Sequence, residues 1–73
     1  MQKRISYFDV DWSRAQRTGR VRVTFDDRSF EDLHPLSMEE MVLICSLLRV
    51  DKPVFYDFDS QTFSTVADRV GGG

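Results

Sequence analysis

Cysteine, histidine and tryptophan each occur once among the 73 residues, and proline twice. Cys45 is the sole thiol, so no disulfide can close within the chain, and a lone thiol in an apolar helical run suits a reducing compartment. His34 is the sole imidazole and no second soft ligand stands near it, which leaves a structural zinc site short of its four ligands. Long apolar runs are missing as well. The longest, residues 41–45, is far too short to span a bilayer. The opening Met1-Gln2-Lys3-Arg4 leads into alternating polar and apolar residues, not a secretory core. The expectation is a cytoplasmic protein that uses no membrane, no cofactor and no small-molecule substrate.

What is present is the composition of a folded domain, 41% hydrophobic and 30% charged. A chain this short has room for one core. Ordering it costs on the order of 100 kcal/mol of conformational entropy, and apolar burial in so small a core offsets that narrowly. With disulfide and metal set aside, association is the remaining route to added stability.

Residues 5–12 are rich in aromatic and β-branched side chains and predict a first strand. Its apolar phase slips between Tyr7 and Phe8, which implies a bulge or two apolar faces. A polar connection over 13–19 leads into Arg20-Val21-Arg22-Val23-Thr24-Phe25, whose period of two turns the valines and Phe25 inward and the arginines outward. Asp26-Asp27-Arg28-Ser29 has turn chemistry, so 30–33 reads as a short third strand, ended by His34-Pro35.

The helix start is the most sharply specified feature. Ser37 and Glu40 stand at capping-box spacing, with Leu36 and Met41 placed as a hydrophobic staple. The helix is predicted over 38–50, stopped by Pro53, with Met41, Leu43, Ile44, Cys45, Leu47 and Leu48 on one apolar arc. Val42 and Val50 fall on its polar side. Residues 54–58 and 62–66 read as a closing hairpin. The fold class is therefore α+β, a five-stranded antiparallel sheet with one helix on one face, in the order β-β-β-α-β-β. One domain is expected over 1–67, with a flexible tail over 68–73.

One helix covers one sheet face. Strand one carries apolar residues of both phases and Phe55 lies opposite Val54 and Tyr56, so Tyr7, Phe8, Trp12 and Phe55 are expected as aromatic anchors of an interface. The leading expectation is a non-enzymatic interaction module, a homodimer or a binder of another protein, joined through an aromatic sheet face or an edge strand. The alternative rests on charge. Residues 1–25 carry six Lys and Arg against two Asp, net +4, and residues 26–73 four against ten Asp and Glu, net −6. Arg14, Arg17, Arg20 and Arg22 on the first hairpin, with Trp12 beside them, could track a phosphate backbone while the ring stacks on a base.

Other constellations carry less. Cys45 with His34 has the makings of a nucleophile and base, but a cysteine on a buried arc is ordinarily a packing residue. Asp57, Asp59, Gln61, Thr65 and Asp68 follow calcium-loop spacing, yet Thr62 stands where the loop needs glycine and strands flank it. The terminal Gly71-Gly72-Gly73 on a small domain with a roughly ββαββ order resembles ubiquitin-like modifiers and sulfur carriers. That resemblance implies a carboxy terminus activated by adenylation, and the extra strand before the helix departs from it.

Overall fold

The structure is a computed structural model that describes residues 1–65. Val66, Asp68, the expected tail and the glycine run with its modifier-like reading lie outside the described residues. Five strands, β1 (Gln2–Ser13), β2 (Thr18–Phe25), β3 (Phe30–Leu36), β4 (Val54–Asp57) and β5 (Thr62–Thr65), and one helix, α1 (Met38–Leu48), follow in the expected order β-β-β-α-β-β. The strands form one antiparallel sheet in the spatial order β3-β2-β1-β4-β5.

Period-two alternation in β2 does what it predicts. Val21, Val23 and Phe25 are at most 1% exposed and centre the core. The phase slip in β1 is taken up by a bulge: Ile5 pairs with Phe25 and Tyr7 with Thr24, so Ser6 is the extra residue. Paired residues share a face of the sheet. Beyond the bulge Phe8 stands opposite Val23, Val10 opposite Val21 and Trp12 opposite Gly19. Ile5, Phe8, Val10 and Trp12 therefore all face the helix side, and Tyr7 is left on the opposite face.

Several boundaries differ from expectation, with β1 spanning Gln2–Ser13, β2 beginning at Thr18 and β4 ending at Asp57. His34-Pro35 does not end β3, which continues to Leu36 through a cis peptide bond and a register shift opposite Gly19 and Val21. Proline is tolerated there because β3 is, among the described residues, an edge strand whose outer N–H groups join no ladder. The helix stops at Leu48 with Arg49 as its C-cap, two residues before Val50. Its start is as predicted. Ser37 Oγ accepts the Glu40 N–H at 3.1 Å and the Ser37 N–H donates to Glu40 Oε1 at 3.0 Å, while Leu36 and Met41 are both buried.

The broad apolar arc expected of α1 is divided. Met41 is buried, Ile44, Cys45 and Leu48 are half-buried, and Leu43 and Leu47 face solvent, Leu43 at 66% exposure. The helix touches β2, β3 and β5 with one row of side chains at i, i+3 and i+7 spacing, and a straight rod on a small twisted sheet reaches no further. At the other end of the core, Phe25, Tyr56, Phe58 and Phe63 cluster with ring centroids 5.0–6.4 Å apart. Lys3 closes that end. Its ammonium sits 5.8 Å from the Phe25 ring centroid and 5.6 Å from that of Phe58, and reaches Asp27 at 2.7 Å.

Candidate interaction surface

The sheet face away from the helix is a polar ladder. Asp9 stands opposite Arg22 and Asp11 opposite Arg20, and Arg22 is in turn opposite Asp32. Arg22 grips Asp32 with two hydrogen bonds, at 2.7 and 3.0 Å, and its guanidinium lies 4.1 Å from the Phe30 ring centroid. Arg20 pairs with Asp11 through Nε and Nη2. Tyr7 and Phe30 flank these pairs across Thr24, and Phe55, opposite Arg4 and Ser64, belongs to the same face farther along the sheet.

The four aromatics expected as anchors are thus split. Tyr7 and Phe55 lie on the open face, separated by Arg4 and the bulge, whereas Phe8 and Trp12 lie on the helix side, Phe8 packed against the core. No single aromatic face joins them, because Tyr7 and Phe8 take opposite faces by ordinary alternation and the Ser6 bulge before them turns Phe8 and Trp12 toward the helix side. The four arginines divide as well: Arg14 and Arg17 sit exposed in the hairpin turn, and Arg20 and Arg22 are engaged by carboxylates. A phosphate backbone would have to displace Asp11 and Asp32 to reach the latter pair.

A different surface emerges along β1. This strand runs to Ser13 but pairs with β4 only over Gln2, Lys3 and Arg4. Among the described residues, no strand pairs with the β4-side edge over residues 7–13, so its backbone donors and acceptors face outward there. Beside this edge runs a groove of about 350 Å³ between β1 and α1, lined by Val10, Trp12, Met38, Met41, Val42 and Cys45, with Ser46 and Arg49 at its rim. Val42 and Met38 are 59% and 58% exposed. Past the bulge a second cleft of about 530 Å³, between Ile5, Tyr7 and Phe8 on one side and Leu48, Val50 and Pro53 on the other, continues the same edge.

Val42 and Val50 read in sequence as strays on the polar side of the helix, and they line these clefts. The helical period alone flagged them; their use depends on β1 lying alongside. Met38 was missed although it stands at i, i+4 and i+7 spacing with Val42 and Cys45, on the edge of the apolar arc.

The remaining candidates separate in space. Cys45 lines the groove on the β1 side and His34 is exposed on β3, across β2 from it. No group of three His, Cys, Asp or Glu among the described residues could hold a metal ion. Asp57 and Asp59, the first carboxylates of the calcium-like spacing, both contact the Met1 ammonium, and Asp57 accepts the Asp59 N–H at 2.9 Å. Among the described residues, no helix is long and apolar enough to cross a membrane.

Several carboxyls are held below the usual carboxylate range. Lys3 and both donors of Ser29 do this for Asp27, Arg22 for Asp32, and the Asp59 N–H with the Met1 ammonium for Asp57. A carboxyl that ionises more readily in the folded state adds stability above its unfolded value, near about 3.9, and forfeits it as pH falls through the folded value. The urea midpoint is therefore expected to be level between about pH 5 and 7 and to decline steadily below about pH 4. Circular dichroism melts in urea at several pH values check this; a midpoint as high at pH 2.5 as at pH 6 contradicts it.

Compared with protein-family models, with curated proteins and with solved structures, the chain finds no match in any of the three.

Proposed function

We propose that this protein is a small non-enzymatic interaction module that binds a protein partner by adding an extended strand to the free edge of β1. One observation carries the reading: the β1–β4 ladder stops at Arg4 while β1 continues for nine more residues beside an apolar groove. Strand addition supplies affinity through main-chain hydrogen bonds and specificity through alternate side chains that enter pockets. Both halves of that requirement meet here. The edge offers the ladder, and Val10, Trp12, Met38 and Val42 offer apolar surface that a monomer leaves wet.

Selection of short random peptides displayed against the full chain tests the reading. Trp12 is the single tryptophan and lines the groove, so its emission reports occupancy directly. Selected peptides are expected to shift that emission to the blue and to lose about tenfold in affinity when a central residue becomes proline, which cannot donate to a ladder. Ligands that tolerate the central proline, or that bind without moving the Trp12 emission, overturn it.

A further inference from the structure

We infer that the occupant of this edge is a segment of another protein in which basic residues alternate with apolar ones, an inference that rests on the strand-addition reading above. It follows from what β1 presents to a neighbour. Toward the open face it turns Tyr7, Asp9 and Asp11, and toward the helix side Phe8, Val10 and Trp12, the last two lining the groove. A strand laid alongside sets each of its residues next to one of these on the same face, because cross-strand partners share a side of the sheet. Positions beside Asp9 and Asp11 favour lysine or arginine, and the intervening positions point into the groove and favour branched or aromatic side chains. Asp11 already holds Arg20, whereas Asp9 stands opposite Arg22, whose guanidinium is gripped by Asp32.

The same pattern disfavours a second copy of this chain as occupant. An antiparallel pair of β1 strands that keeps faces matched can be centred on Asp9, Val10 or Asp11. Centring on Val10 sets Asp9 against the partner's Asp11 twice, and centring on either aspartate sets it against itself. Like charges directly opposite destabilise a pair of strands. Registers that avoid the clash are centred on Phe8 or Trp12, and they run into the bulge or off the end of β1, which leaves much of the free edge unused.

Three capped eight-residue peptides provide the test, alternating valine with lysine, with glutamine or with glutamate, titrated into the full chain at low salt and followed by Trp12 emission. The lysine peptide is expected to bind about tenfold more tightly than the glutamate peptide, with glutamine between. Added salt is expected to compress the order, and a doubly substituted Asp9→Asn/Asp11→Asn chain, checked for folding by circular dichroism, to erase it. If all three bind alike, the charge inference fails and the strand-addition reading stands. If none moves the Trp12 emission, both fail. If the chain alone dimerises with rising concentration and the amides of residues 7–13 become protected from exchange, a second copy is the occupant and the basic partner is overturned.

Discussion

Phe25→Ala is expected to lower the unfolding free energy by about 3–5 kcal/mol, the usual loss when a buried phenylalanine is cut back to alanine. For 73 residues the whole stability is on the order of 4–11 kcal/mol, so this one change removes about a quarter of it or more. The location explains the size. Phe25 is 1% exposed at the end of β2, stacks near Tyr56 and Phe58, and lies under the Lys3 ammonium. It also stands opposite Ile5 at the bulge, where β1 passes from pairing with β4 to pairing with β2. Truncation leaves a hole that the neighbouring rings cannot close without drawing the two halves of the sheet together. Urea unfolding followed by far-ultraviolet circular dichroism measures the loss, and a value under about 1 kcal/mol would contradict this account of the core.

Gly19→Val is expected to cost about 2–3 kcal/mol, against what local preference predicts. Valine is the better strand former, an advantage of at most about 1 kcal/mol. Space decides otherwise. A Cβ built on Gly19 would stand 2.4 Å from Met41 Sδ, 2.7 Å from its Cγ and 2.8 Å from its Cε. Met41 is the one buried residue of the helix, seated over this strand, and forcing extra methyl groups into such a contact costs typically about 1–3 kcal/mol. The flexible thioether can swing aside only by giving up its own burial. The loss should shrink in a Gly19→Val/Met41→Val chain compared with the sum of the single changes, since the two sites share one contact. Additive losses in that cycle, or a Gly19→Val chain as stable as the parent, would show that the helix is not seated on this residue.

The contrast between these two positions shows how unevenly the fold can be read from the chain. Phe25 is legible because a strict alternation over six residues assigns it to the core face. Gly19 reads as the end of a polar connection, and nothing local indicates that Met41, more than twenty positions later, rests on it. The capping box at Ser37 is legible for the same reason as Phe25: donor and acceptor lie three residues apart and need no tertiary partner. The slip in β1 was visible too, though not its consequence. Whether it split or merged the apolar surfaces depended on the register with β2, a long-range quantity. The expected cluster of Tyr7, Phe8, Trp12 and Phe55 dissolved for this reason, and the free edge replaced it as the candidate site.

Alternation, capping chemistry and turn residues, all local, determined the number, order and type of the elements and the buried side of β2. Tertiary structure alone decided that β4 pairs with only the first residues of β1, that β3 runs through Pro35, and that the helix seats on the sheet with one row of its side chains. Pairing length and helix seating depend on how twisted surfaces meet, and contacts between residues far apart in sequence leave no period along the chain to read.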